Sequence, residues 1–126
     1  IKILRSGITG LSAAIDSAYD RPGIPVGYTD QDSANLIQAA EWGVGTVPLS
    51  VILGENRSIK PMILNGVSPT PETIADGRYP LFKTLYLVVG GNPSALARRF
   101  IAFIRSSDGL KILTRTGHLV IAENVR

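Results

Sequence analysis

The chain has no cysteine, one histidine, one tryptophan and only 6% aromatic residues. Without cysteine there are no disulfides, no thiol nucleophile and no cysteine-ligated zinc. His118 stands alone, with no second ligand at metal-binding spacing, so neither a metal site nor a Ser-His-Asp triad is expected. Ser50, Ser68 and Ser94 also lack the G-x-S-x-G context of a nucleophile elbow. The expectation is no enzymatic activity, no cofactor and no metal. No apolar run approaches the ~18 residues of a membrane span, so a soluble globular chain is expected. Basic residues interleaved with exposed aromatics, or a reader motif, would mark a nucleic-acid binder. Neither occurs, and no nucleic-acid partner is expected.

What is present suits a domain with a core: 126 residues, 44% of them hydrophobic. The formal charge of +3 is unevenly placed. Residues 1–80 hold 6 Lys/Arg against 8 Asp/Glu, and residues 81–126 hold 7 against 2. The basic C-terminal third reads as the solvated face of a helix. The chain opens on Ile1 with no basic and apolar leader pattern, so a signal peptide is expected to have been removed or to lie outside this sequence.

Along the chain, apolar runs alternate with helical spacing. Ile1 to Leu4 reads as a short strand, and Ile8, Leu11, Ile15 and Ala18 recur on one helical face before Arg21-Pro22-Gly23. Ile24 to Tyr28 is a second strand candidate. Thr29-Asp30-Gln31-Asp32 carries the capping pattern of a helix start, with Ala34, Ile37 and Ala40 as the buried stripe. Val44 to Val47 is a short strand stopped by Pro48, Leu49 to Leu53 a helical turn, and Ile59 to Leu64 another strand. Trp42, at a helix end, is expected in the core. Leu85 to Val89 is the strongest strand signal. An amphipathic helix then turns Leu96, Phe100, Phe103 and Ile104 toward the core and Arg98, Arg99 and Arg105 toward water. A shorter helix, Asp108 to Thr114, precedes Gly117-His118. This alternation predicts an α/β fold, a mixed and mostly parallel sheet flanked by helices.

Three polar segments interrupt the pattern. Arg5 to Ser12, RSGITGLS, sets one guanidinium, three hydroxyls and two glycines at a helix start. Such a loop suits an oxyanion: helix-start N–H groups and the dipole favour negative charge, hydroxyls donate, and Arg binds two oxygens at once. It is equally a set of N-caps, and it is not a P-loop because GK[ST] is absent. Candidate ligands are Arg5, Ser6, Thr9 and Ser12. Asp30, in the second segment, is either part of a cap or a carboxylate that accepts a ligand proton or orients Arg5. In the third, NGVSPTPETIADGRYPL from Asn65 to Leu81, Asn65 and Gly66 tolerate positive φ in a turn. Thr70 is the predicted N-cap of a short helix, with Pro71 at N1 and Gly77 at its end.

The order of these motifs resembles the periplasmic phosphate-binding proteins of ABC transporters, a type II periplasmic binding protein family. The resemblance rests on Ile3-Leu4-Arg5 with its Ser/Thr/Gly loop, on Tyr28-Thr29-Asp30-Gln31-Asp32, and on Gly43-Val44-Gly45. It continues through Val67-Ser68-Pro69-Thr70-Pro71-Glu72, Gly77-Arg78-Tyr79-Pro80-Leu81, Leu85-Tyr86-Leu87-Val88, and Phe100 to Ile104 with Ser107-Asp108-Gly109. Within the anion loop, Ile8, Gly10 and Leu11 interrupt the family's usual run of small hydroxyl residues.

The resemblance implies a two-lobed protein of which this chain is the second half. Residues 1–83 would be the main segment of one lobe, with the anion loop, and residues 84–126 the return segment of the other. It implies a phosphate or oxyanion ligand, a membrane permease as partner, and a periplasmic or extracellular, membrane-associated location. A ligand-sensing α/β domain of a larger regulator or enzyme is the alternative. The apolar segments at 85–89 and 100–104 are expected either to form a homodimer or to fold back on residues 1–83.

Overall fold

A computed structural model describes residues 2–121, which form seven helices. These are α1 (Lys2–Gly7), α2 (Leu11–Tyr19), α3 (Asp30–Ala39), α4 (Leu49–Gly54), α5 (Pro71–Ala75), α6 (Ala95–Ile104) and α7 (Ser107–Arg115). They associate as neighbours in sequence: α1 packs on α2, α3 on α4, and α6 on α7.

The expected α/β sheet is not formed. Among the described residues the single β contact is an isolated antiparallel bridge between Leu64 and Val67. Ile24 to Tyr28, Val44 to Val47, Ile59 to Ile63 and Leu85 to Val89 carry no ladder. The reason is that a strand is completed by a neighbour, whereas a helix closes its hydrogen bonds internally. A β-rich composition supplies only ~1 kcal/mol of preference across its whole scale, and packing against other strands decides whether it is expressed. In this chain the apolar runs do not meet one another in register.

The same competition decides the N-terminus. Residues 2–4 of the expected first strand are helical, and Ile1 lies outside the described residues. The Ile8 N–H donates to the Leu4 carbonyl, and the Ser6 hydroxyl donates back to the carbonyls of Lys2 and Ile3, both at 3.2 Å. Those bonds are local and need no second strand.

Local turn and cap chemistry folds as its residues dictate. Thr29 and Asp32 form a reciprocal capping box at the start of α3, each backbone N–H donating to the other's side chain at 3.0 Å. Thr70 caps α5 with Pro71 at the first helical position, and Thr73 completes that box. Asn65 and Gly66 take φ of 50° and 81°, the two positive values of a type I′ turn, closed by a pair of 2.9 Å bonds between Leu64 and Val67. Ser94 and Ser106 cap α6 and α7.

Burial is sparse. Among the described residues Ala34 on α3 and Ile52 on α4 are the buried hydrophobic ones. The accessible surface of 9834 Å² exceeds the roughly 6,500 Å² expected of a compact monomer of this mass. Two expectations of core placement are overturned. Trp42 is 91% exposed at the end of α3, and Leu96, Phe100 and Phe103 on α6 are exposed rather than core-facing. Both follow from the missing sheet: the face of α6 has no layer to cover it.

Candidate functional site

The candidate anion loop is the connection between two helices. The α1–α2 turn is made possible by Gly10, which takes φ of 81° at the N-cap of α2 and leaves the first-turn N–H groups without a side-chain acceptor. Arg5 lies in the last turn of α1, and its side chain crosses to α2. There Nη1 donates to Ser12 Oγ at 3.0 Å and Nη2 to Asp16 Oδ1 at 2.5 Å. Ser12 and Asp16 are one helical turn apart, so both face the guanidinium from the same side of α2.

This arrangement sets the electrostatics. The hydrogen bond from Arg5 holds the Asp16 carboxyl below its ordinary range, and the same bond raises Arg5. The Arg5 side chain is 31% exposed and Asp16 61%, so solvent screens the pair and its contribution to stability is small. Its main effect is on orientation. It commits the Arg5 fork to Ser12 in the first turn of α2 and to Asp16 one turn further on.

The predicted site residues separate into two groups. Arg5 and Ser12 are in contact, and Thr9 is exposed in the turn beside them. Ser6 turns its hydroxyl back to its own helix. Asp30 does not orient Arg5. It is the first residue of α3 and receives a 3.0 Å ion pair from Lys83 Nζ. Sequence reasoning missed Asp16, although its spacing of four from Ser12 is a readable signal once both are placed on one helix face.

A second polar cluster, not anticipated from the sequence, joins α3 to the end of α4. Arg57 donates to Glu55, Asn35 and Gln38, and Gln31 donates to the other oxygen of Glu55 at 3.1 Å. Arg57, and then Gln31, hold the Glu55 carboxyl below its ordinary range. Most of the Arg57 donors are satisfied by the protein, which marks a structural clasp rather than an open anion site.

The cavities lie elsewhere. One of about 330 Å³ runs between α2 and α3, lined by Ile15, Tyr19, Leu36, Ile37 and Val44, with no charged side chain among the described residues. Another of about 420 Å³ separates α4, α7 and the loop before α5, where Lys60 is the one charged residue among those described. Neither gathers the donors that an oxyanion needs. Among the described residues no group of three or more His, Cys, Asp and Glu side chains forms a metal cluster.

Residues 6–108 match the family model described as a PBP superfamily domain. Two curated proteins from strains of Streptococcus pneumoniae, each named Phosphate-binding protein PstS 2, are 32% identical over 85 residues, 67% of this chain and 29% of theirs. Phosphate-binding protein PstS of Bacillus subtilis is 24% identical over 120 residues, 91% of this chain and 38% of its own length. The chain therefore spans only about a third of the length of these relatives. No solved structure matches it significantly.

Proposed function

The chain belongs to the PBP superfamily domain family, and from that membership we propose that it is a solute-binding component, or part of one, of an ABC-type uptake system for phosphate or a similar oxyanion. The reading is carried by one observation: Arg5 is held on Ser12 in the first turn of α2, a helix whose start has no side-chain cap. The names of the relatives point to phosphate.

In this reading the anion takes the place of the Asp16 carboxylate. Arg5 Nη2 releases Asp16 and donates to one anion oxygen, while Ser12 and Thr9 offer hydroxyls and the α2 N–H groups a partial positive charge. Ser6 would have to rotate away from its own helix to join them. Asp30 then stands at a second helix start, held by Lys83, as an acceptor for a ligand proton. Residues 1–83 carry the anion loop, and residues 84–126 form the return segment of the opposite lobe. The partner is a membrane permease, and the location is periplasmic or extracellular at the membrane. Among the described residues no helix is long and apolar enough to cross a membrane. The role is binding rather than catalysis.

Leu85 to Val89, with exposures from 49% to 89%, and the exposed Leu96, Phe100 and Phe103 of α6 supply the apolar side chains through which two copies would pair. A homodimer through this C-terminal segment is part of the proposal.

Titration of inorganic phosphate into the chain and its Arg5→Ala variant tests the site. A charge-assisted contact of this kind is worth several-fold to about a hundredfold in affinity. Equal affinity in the two proteins would remove Arg5 from the site.

A further inference from the structure

The turn at Asn65-Gly66 combines three features that meet nowhere else in the chain. Asn65 is the one asparagine followed by glycine; Asn35, Asn56, Asn92 and Asn124 precede Leu, Arg, Pro and Val. Both residues are exposed at the tip of the turn. The Gly66 N–H donates to no protein acceptor among the described residues, so its nitrogen is not held by a hydrogen bond. The two Asp-Gly steps differ: the Gly77 N–H donates to the Ile74 carbonyl and the Gly109 N–H to Ser106 Oγ, both at 3.2 Å.

We propose that Asn65 is a self-modification site, where the Gly66 nitrogen closes on the Asn65 side-chain amide and converts it to aspartate and isoaspartate. In the first step Gly66 N attacks Asn65 Cγ and a C–N bond forms. The Cγ–Nδ2 bond breaks, and ammonia leaves with the proton that Gly66 N gives up. Water then opens the five-membered succinimide. Attack at Cγ yields aspartate, and attack at the Asn65 main-chain carbonyl carbon yields isoaspartate, with the backbone rerouted through Cβ and Cγ. No oxidant or reductant takes part.

Two physical factors favour the reaction here. Glycine has no Cβ to obstruct approach of its nitrogen, and the turn is held only by the Leu64–Val67 bridge, two 2.9 Å bonds with no ladder behind them. An isolated bridge at the surface opens far more readily than a packed element, so the rotation that brings Gly66 N to Cγ is accessible. The product alters the turn itself. It adds one negative charge, and the isoaspartyl form inserts an extra backbone carbon at the tip of a two-residue turn. That closes the I′ geometry to Leu64 and Val67. The next contacts along the chain are the Ser68 carbonyl, which accepts from Thr73 Oγ1 at 2.7 Å, and the Thr70 cap of α5. Modification therefore loosens the entry into α5.

The test is incubation of the full chain in mildly alkaline buffer, followed by charge separation, peptide mass mapping and labelling with an isoaspartate methyltransferase. Because glycine alone leaves the attack unobstructed, the Asn65 peptide is expected to convert at least about tenfold faster than those with Asn35 or Asn56. It should accept the methyl label, and an acidic form of the chain should accumulate that Asn65→Asp, already carrying the charge, does not develop further. Conversion of Asn65 no faster than Asn35 or Asn56 would overturn the proposal, as would an acidic drift that persists in Asn65→Asp.

Discussion

Arg5 and Asp16, eleven positions apart and on different helices, are joined by a 2.5 Å contact from Nη2 to Oδ1. The pair closes α1 onto α2 and fixes the direction of the guanidinium. In the proposed binding mode Asp16 is the group that an incoming anion displaces. Asp16→Asn keeps the shape and removes the charge, so it should strengthen phosphate binding by several-fold, because a carboxylate no longer competes for the same donor. Titration of both proteins with inorganic phosphate checks this, and weaker binding in the variant would assign Asp16 a supporting role.

The pH response of the same pair has a definite sign. Asp16 is held below its ordinary value of 3.8 by the bond from Arg5, so the folded state binds its proton less readily than the unfolded one. The stabilisation is present in full above that value and is lost as the pH falls through the lowered one. Carbon-detected NMR titration of the Asp16 carboxyl should give a midpoint below 3.8. A midpoint at or above it means that the pair does not persist in solution.

Thr70 caps α5 with its hydroxyl, accepting from the Thr73 N–H at 3.2 Å, and the helix is only five residues long. Thr70→Ala should cost α5 ~1 kcal/mol, seen as faster amide exchange at Thr73 and Ile74. Unchanged exchange would show that the segment is held by its prolines alone.

Gly109 is buried where α7 leaves α6, and a Cβ placed there would clash with the Phe103 carbonyl oxygen. Backbone cannot yield as a flexible side chain does. Gly109→Ala should separate α6 from α7 at a cost of about 1–3 kcal/mol. Denaturant unfolding with a probe on α6 measures it, and an unaltered midpoint would contradict the close approach.

The apolar segment 85–89 should drive self-association. Val88 is 89% exposed, and a lysine there would disfavour pairing of this segment with another strand. Sedimentation should show a dimer for the chain and a monomer for Val88→Lys. A monodisperse monomer for the unaltered chain would remove the homodimer from the proposal.

Local signals are legible in the sequence, and long-range ones are not. The caps at Thr29 and Thr70 and the Asn65-Gly66 turn depend on residues within four positions of one another, so their chemistry is complete in the sequence. The family order of motifs is likewise legible. The sheet is not: Leu85 to Val89 has every property of a strand except a neighbour, and composition does not report whether one is present. Trp42 and Phe100 depart from the core for the same reason, because an apolar residue signals a need for cover rather than its presence. At the candidate site, Arg5 and Ser12 stand out from the sequence. Asp16 shares a helix face with Ser12, but its pairing with Arg5 depends on Lys2–Gly7 being a helix where the residue pattern predicts a strand over 1–4 and then a loop.

The proposed oxyanion site lies between Arg5 and the start of α2. It is tested most directly by titrating inorganic phosphate into the isotope-labelled chain and following each backbone amide and the Arg5 guanidinium by NMR, a measurement that registers binding as weak as about 1 mM. Saturable shifts are expected at Arg5, Thr9, Gly10, Leu11 and Ser12, accompanied by release of the Asp16 carboxyl, and they should be lost in Arg5→Ala. Saturable shifts centred on Lys60 or Arg57 with residues 5–12 unmoved, or no saturable shift at all, would contradict it.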